Sequence, residues 1–273
     1  MVHSPRNQLK GRIMNTRVAI SQIGGIELDY RKSAAERALR IELAAAFRIA
    51  HHFGWNIDTL NHITARIPGT ETFLMNPVGL AWDEITASSL VTVDYDRNIL
   101  SHSGVRVAPA GFNFHSGILK VRPDLHCVLH THETSGAVLS SVEQRFVVLS
   151  QGACRLHGEV GYHAFEGLAR EEDEVPRILR DLGQGHTLIM LNHGLLSVGA
   201  SVGEAFGWMR TLIDACDMQV RAMATGAKLR PIPEDIQIHT KALMLSNKPG
   251  PKDDHSWQYW LRLAERLDPS FAT

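Results

Sequence analysis

The feature that most constrains this chain is a pair of histidines, His130 and His132, at the end of an apolar run. Residues 127–129 are Cys-Val-Leu, which is typical of a buried strand. Side chains two positions apart in a strand lie on the same face, so the two imidazoles point the same way. They can therefore approach one cation without any bend in the backbone.

A third histidine follows a second apolar run far along the chain. His193 comes after the stretch 187–191 and immediately before Gly194, where the chain can turn sharply. Three imidazoles leave coordination positions open on a metal ion, which catalytic sites need and closed structural sites lack. We therefore predict a divalent-metal enzyme site at His130, His132 and His193.

Composition narrows the class of protein. With 273 residues, 44% of them hydrophobic, the chain can bury a full-size core. A net charge of −1 gives no basic field for nucleic acid, and the apolar stretches are too short for a membrane span. The three cysteines lie far apart with no Cys-x-x-Cys pair, which favours a reducing compartment, the cytoplasm. The basic segment 1–26 is interpreted as an arm rather than a targeting sequence.

Strands and helices interleave along the chain. Strands are expected at 60–68, 72–76, 90–93 and 146–149, and helices at 33–54, 111–121, 133–141, 170–182 and from 201 onward. Residues 33–36 and 201–204 read as capping boxes, and residues 156–169 as a loop. The early strands are too close together for crossover helices, which favours a largely antiparallel sheet between helices over a Rossmann sheet.

The chain resembles the class II aldolase/adducin family in a series of motifs that occur in the same order. They are residues 61–66 (Asn-His-Ile-Thr-Ala-Arg), 76–79 (Asn-Pro-Val-Gly), His115 with 122–124 (Arg-Pro-Asp), 128–132 (Val-Leu-His-Thr-His) and 192–196 (Asn-His-Gly-Leu-Leu). The resemblance implies a three-layer α/β/α fold around a central, mainly antiparallel sheet, and often a homotetramer with active sites near subunit interfaces.

The resemblance also implies a cofactor and a division of the chain. The cofactor is a divalent metal, typically Zn²⁺, with Mn²⁺ and Fe²⁺ as alternatives, held by His130, His132 and His193. The family domain is expected at residues 33–250, after an N-terminal arm at 1–32 and before a C-terminal helical tail at 251–273. By the same resemblance, Asn61, Gly79 and Gly111 stand at substrate-binding positions, while the alternative for Asn61 is a turn residue before a strand.

The chain departs from sugar-phosphate aldolases of the family at four positions. Their catalytic Glu, four residues before the histidine that matches His115, is Gly111 here. Hydroxyl residues that help hold the substrate phosphate correspond to Pro109 and Ala110, and a threonine corresponds to Val78. An anion site needs hydrogen-bond donors, so we expect a substrate without phosphate.

With glycine at position 111 in place of the glutamate, another residue has to transfer the proton. His115 lies one helical turn from Gly111 and can act as the proton shuttle, or it can have a structural role beside the site. The segment 156–169 contains four further polar groups that can supply a base or a fourth metal ligand, or can simply be solvated: His157, Glu159, His163 and Glu166.

Three functions are compatible with these residues. The first is a metal-dependent lyase that cleaves a carbon–carbon bond, by aldol cleavage or decarboxylation, in a small oxygenated substrate, with the metal stabilising an enolate. The second is a non-heme iron oxygenase, which imidazole ligands permit but which lacks a clear carboxylate ligand here. The third is a scaffold protein like the adducin branch, which the three retained histidines disfavour.

Overall fold

The computed structural model describes residues 33–102, 104–168, 172–246 and 255–273. The predicted N-terminal arm at 1–32 lies outside the described residues, as do the first four residues of the predicted tail. Among the helices that the structure describes, none combines the length and the apolar character needed to cross a bilayer.

A seven-stranded sheet forms the centre of the described chain. Its strands are β1 (His62–Arg66), β2 (Thr72–Met75), β3 (Val91–Asp94), β4 (Cys127–Thr131), β5 (Val160–His163), β6 (Thr187–Met190) and β7 (Gly194–Gly199). They lie in the order β3-β2-β1-β4-β7-β6-β5. Neighbours pair antiparallel except β5 and β6, which are parallel. The expected mainly antiparallel sheet is therefore confirmed, as a mixed sheet with one parallel edge.

Helices cover both faces of the sheet. They are α1 (Ala34–His52), α2 (Pro109–Val121), α3 (Thr134–Ser140), α4 (Val175–Leu182), α5 (Val202–Ala224), α6 (Glu234–Ser246) and α7 (His255–Leu267). One apolar cluster joins α1 and α5 to one face, and a second joins α2 and α4 to the other. The sheet between two helical layers confirms the three-layer α/β/α fold.

Successive side chains of β4 point to opposite faces of the sheet, and both faces are covered by helices. Cys127 and Leu129 belong to the cluster under α1 and α5, whereas Val128 belongs to the cluster under α2. A strand buried on both faces reads as an unbroken apolar run, as residues 127–129 do. The period of two then places His130 on the α2 face, and this face contains the candidate site.

The two predicted helix starts are confirmed by their capping bonds. The hydroxyl of Ser33 accepts a hydrogen bond from the backbone N–H of Glu36 at 3.0 Å. The hydroxyl of Ser201 accepts from the backbone N–H of Glu204 at 3.1 Å. Each bond satisfies one of the N–H groups that the first helical turn leaves unpaired.

The strand predicted at 146–149 is wrong. The backbone N–H of Phe146 donates to the Tyr162 hydroxyl, and that of Val147 donates to the Gln219 side-chain oxygen, each at 2.8 Å. These N–H groups are therefore bonded to side chains and not to a neighbouring strand. The fifth strand is β5, within the predicted loop. Gly161 is required there because a Cβ would lie 2.1 Å from the carbonyl oxygen of Asp181.

The helix predicted at 170–182 is shorter than expected. Helix α4 begins at Val175, after a short 3-10 turn at Glu172–Glu174, and ends before Gly183 as predicted. Pro176 stands in the first turn of α4, where a proline fits because the N–H it lacks has no intrahelical partner.

Helix α7 packs against the cluster under α1 and α5, and Trp257 and Trp260 both take part in the contact. Trp257 is 4% exposed, its ring lies tilted against that of Phe206 with centroids 5.5 Å apart, and its Nε1–H donates to Glu42 Oε1 at 2.7 Å. Gly203 lies beneath the Trp257 ring, since a Cβ there would come within 2.5 Å of it.

We expect Trp257→Ala to lower the free energy of unfolding by about 3 kcal/mol, because a buried indole and its hydrogen bond are lost. Tyr259→Ala on the same helix, where the side chain is 44% exposed, should cost about 1 kcal/mol or less. Urea unfolding of both variants measures the difference. Equal effects would mean that α7 is not part of the folded domain.

Candidate functional site

The register of three neighbouring strands brings the predicted metal-binding histidines together. His130 is the last but one residue of β4, and His132 directly follows the strand. Thr131 pairs with Leu195 across β4 and β7, so the turn before β7 lies beside the end of β4. His193 stands in that turn. The three imidazole ring centroids lie 4.7–4.8 Å apart.

The turn that positions His193 differs from the expected one. The left-handed residue is Asn192, with φ 55°, a conformation that asparagine tolerates better than most residues. Gly194 instead begins β7, where a Cβ would lie 2.4 Å from the Thr131 carbonyl oxygen and 3.0 Å from the His132 ring. Glycine at 194 is thus needed for close approach of the two strands rather than for the turn.

The nitrogens of the three rings are suited to one metal ion. His130 Nδ1 donates to the carbonyl oxygen of Leu195 at 3.0 Å, which leaves the lone pair on Nε2. That Nε2 lies 2.9 Å from Nε2 of His132. One ring nitrogen from each of the three histidines can be chosen so that all three nitrogens lie within 4.8 Å of one another. Among the described residues, this is the only such group of three or more histidine, cysteine or carboxylate side chains.

Burial holds these imidazoles in the neutral form that binds metals. Desolvation, then the proximity of His132 and His163, lowers the pKa of His193 to about 4. Desolvation also lowers the pKa of His132, and it lowers that of His130, which is 2% exposed, well below its usual value. Neutral imidazole is the ligand form, so no proton has to be displaced at neutral pH.

A fourth histidine, which the sequence analysis did not single out, completes the cluster. His62 begins β1 and is the cross-strand partner of His130, and the two rings stack with centroids 5.2 Å apart. Desolvation, then the proximity of His132 and His193, lowers the pKa of His62 to about 3. Its position could have been found by pairing the strands at residues 60–68 and 127–131.

His115 lies behind His62 and does not line the pocket. It is fully buried, with Nε2 3.0 Å from Nδ1 of His62 and Nδ1 2.9 Å from the Thr64 hydroxyl. Desolvation, then the proximity of His62, lowers the pKa of His115 well below its usual value. His115 is therefore connected to the pocket only through His62. The hydrogen bond between the two rings uses Nδ1 of His62 and leaves Nε2 of His62 out of this chain of hydrogen bonds.

A pocket of about 370 Å³ opens onto the histidines. That volume suits a small molecule. Among the described residues that line it, none has a lysine, arginine, aspartate or glutamate side chain. Besides the histidines its walls are formed mostly by apolar side chains, with a few polar ones: Thr59, Leu60, Asn61, Asn76, Pro77, Val78, Ala108, Ala110, Phe114, Phe165, Gly167 and Leu168.

The predicted substrate-binding residues differ in their relation to this pocket. Asn61 lines it, with φ 73° just before β1. Gly79 lies in the adjoining turn with φ 99°, and its neighbour Val78 lines the wall. Gly111 lies on α2 against the His62 ring, where a Cβ would come within 2.3 Å of Cδ2 and 2.4 Å of Nε2. The His62 ring thus occupies the space that a side chain at 111 needs.

The polar residues of segment 156–169 are bonded to protein groups. His157 Nδ1 lies 3.0 Å from Gln237 Oε1, and Glu159 bonds His186 and Lys241. The two ring nitrogens of His163 lie 2.8 Å from Asp181 and 3.1 Å from Glu174, and Glu166 pairs with Arg177. These contacts give the four side chains structural roles.

We expect Gly111→Ala to destabilise the protein by about 1–3 kcal/mol, because the added methyl group overlaps the His62 ring. In a His62→Ala background the same substitution should be neutral or stabilising, since alanine favours a helix more than glycine. Denaturant unfolding of the two single variants and the double variant, in the presence of a chelator, measures this coupling. Additive effects would contradict the steric argument.

Comparisons with known proteins agree with this geometry. The Class II Aldolase and Adducin N-terminal domain family matches residues 41–220. A Pseudomonas aeruginosa protein with the provisional name aldolase class 2 protein is 40% identical over 242 residues, 88% of this chain and 93% of that protein. Rat alpha-adducin is 42% identical over 194 residues, which are 70% of this chain but 26% of adducin.

Solved structures show the same similarity. An aldolase II superfamily protein from Pseudomonas syringae has a TM-score of 0.83 at 35% identity, covering 89% of this chain and 98% of that one. An L-fuculose 1-phosphate aldolase from Glaciozyma antarctica has a TM-score of 0.76 at 26% identity, covering 92% and 97%. With the family match over most of its length and relatives of this identity, the chain belongs to the class II aldolase and adducin family.

Proposed function

We propose that this protein is a divalent-metal-dependent carbon–carbon lyase that acts on a small oxygenated substrate without a phosphate group. The observation that supports it most strongly is the convergence of His130, His132 and His193 in the lining of a pocket whose other walls are mostly apolar. His130, His132 and His193 would hold a divalent ion, for which zinc is the best match to three neutral imidazoles, and the bound ion would supply an electrophile for a carbonyl group and for the charge left by carbon–carbon cleavage.

The chain's own residues orient the substrate and exclude water. Phe114 and Phe165 form apolar walls beside the histidines, which lowers the local dielectric and strengthens polar contacts inside the pocket. His62 lines the pocket, and because its Nδ1 bonds His115, its Nε2 is the ring nitrogen that contacts the substrate in this proposal. His115 is then a positioning residue, because its hydrogen bonds with Thr64 and His62 hold that ring in place.

A second candidate function is an adducin-like scaffold, favoured by the 42% identity to rat alpha-adducin. Lyase and scaffold differ in what the histidines do. In a lyase they bind a metal and substrate, whereas in a scaffold they serve only the packing of the sheet. Metal content therefore separates the two.

We expect protein purified without a chelator or a histidine tag to contain about one equivalent of zinc or manganese. His130→Ala and His193→Ala should reduce this to a tenth or less, because each removes one of three ligands, while His51→Ala, at an exposed histidine, should leave it unchanged. Elemental mass spectrometry measures the content. Iron in place of zinc would favour the oxygenase, and metal-free protein would favour the scaffold.

We also expect no cleavage of L-fuculose 1-phosphate above the rate of the His130→Ala variant. Val78, Ala108 and Ala110 line the pocket and offer no hydroxyl donors, and no cationic side chain of the described lining balances a phosphate. A coupled assay for the released aldehyde tests this, with the Glaciozyma antarctica aldolase as positive control. Cleavage that depends on the metal would contradict the phosphate-free assignment and leave the lyase assignment intact.

A further inference from the structure

Three buried side chains form a hydrogen-bonded chain that ends at the pocket. His62 and Thr64 lie two positions apart on β1, so their side chains share the face of the sheet that α2 covers. His115 on α2 bonds both of them: its Nδ1 lies 2.9 Å from the Thr64 hydroxyl, and its Nε2 lies 3.0 Å from Nδ1 of His62. Thr64 and His115 are each 0% exposed, so water does not reach the inner end of this chain.

Both imidazoles in this chain are neutral. Burial lowers the pKa of His62 to about 3 and lowers the pKa of His115 well below its usual value. The His62 ring also lies against Gly111 in the first turn of α2, and the positive end of the helix dipole disfavours a second proton on the ring. A neutral imidazole has one N–H and one lone pair, so each of its nitrogens is either a donor or an acceptor.

The Thr64 hydroxyl sets the direction of the chain. Within the part of the protein that the structure describes, Nδ1 of His115 is the only hydrogen-bond partner of this hydroxyl. A buried hydroxyl that did not donate would lose the hydrogen bond that water gives it in the unfolded chain, which is costly. Thr64 therefore donates, Nδ1 of His115 accepts, and the one proton of His115 lies on Nε2, where it points to His62.

The same rule places the proton of His62. Nδ1 of His62 accepts from His115, so the one proton of His62 lies on Nε2. In the described chain Nε2 bonds no other group, and it is not one of the fully enclosed polar atoms that lack a partner. It therefore keeps accessible surface, and because His62 lines the pocket, its N–H is available to a ligand there.

We propose that Thr64, acting through His115, fixes His62 as a neutral hydrogen-bond donor to an oxygen of the substrate. A nitrogen that carries a proton neither binds a metal nor accepts a proton. His62 is therefore neither a fourth metal ligand, although its ring stacks on that of His130 with centroids 5.2 Å apart, nor the base of the reaction. Thr64 and His115 are positioning residues. The contact with substrate rests on the proposed lyase function, whereas the direction of the chain does not.

Nitrogen NMR reads the positions of these protons directly. Protein labelled with ¹⁵N at histidine is treated with chelator and measured by magic-angle-spinning NMR, and the signals of the two rings are identified by their loss in His62→Leu and His115→Leu. We expect the proton on Nε2 of both rings, with a scalar coupling between Nε2 of His115 and Nδ1 of His62 through their hydrogen bond. A proton on Nδ1 of His62 would mean the reverse direction and would overturn the proposal.

Two substitutions at Thr64 test the origin of the direction. Thr64→Val keeps the shape of the side chain but removes its proton donor, so neither direction of the chain then satisfies Nδ1 of His115. We expect a second form to appear in which Nδ1 of His62 carries the proton. Thr64→Ser restores the hydroxyl and should restore the single form. Thermal unfolding checks that both variants fold. An unchanged single form in Thr64→Val would overturn the role of Thr64.

A ligand that accepts hydrogen bonds without donating them tests the contact. N,N-dimethylacetamide has a carbonyl oxygen and no N–H or O–H group. We expect its addition to shift the Nε2 signal of His62 in a saturable way, and to shift it less in Thr64→Val than in Thr64→Ser. A signal that stays unchanged would overturn the donor role.

Metal content separates this proposal from the proposed function. His62→Leu should keep the metal that His130→Ala loses, because His62 is not a ligand. Loss of metal in His62→Leu, whose fold is checked by thermal unfolding, would overturn the assignment. Native protein that contains no metal would remove the lyase, while the position of the His62 proton would still decide the proposal made here.

Discussion

The arrangement of the site depends on the hydrogen-bond register of β4, which pairs antiparallel with β1 on one side and β7 on the other. That register sets His62 opposite His130 and brings the turn with His193 beside His132. A slip of one residue would turn His130 to the opposite face, under α1 and α5. Burial of Cys127 and Leu129 on one face and Val128 on the other opposes such a slip, so core packing and site geometry have the same cause.

Steric exclusion links the site to the helix above it. The His62 ring fills the space beside Gly111, and His115 and Thr64 hold that ring from behind. A long acidic side chain at position 111 is therefore incompatible with His62 in its present orientation. The glycine at position 111 and the orientation of the His62 ring are therefore coupled through steric contact.

The pocket combines apolar walls with a few neutral polar groups. Burial lowers the pKa values of the four clustered histidines, so positive charge does not accumulate among them at neutral pH. Asn61 and Asn76 are also uncharged. Such a lining disfavours a phosphorylated substrate. A phosphate dianion would lose its hydration on entering the pocket, and no lysine or arginine of the described lining would replace it.

Local patterns alone determined two features: the face shared by His130 and His132, and the two capped helix starts. These depend on periods of two and 3.6 residues, which are properties of the backbone. Tertiary contacts decided the rest. Residues 146–149 became irregular because Tyr162 and Gln219 bind their N–H groups, and β5 formed where only Gly161 admits the Asp181 carbonyl. His62 entered the site because β1 pairs it with His130, a long-range contact that periodicity along one segment does not contain.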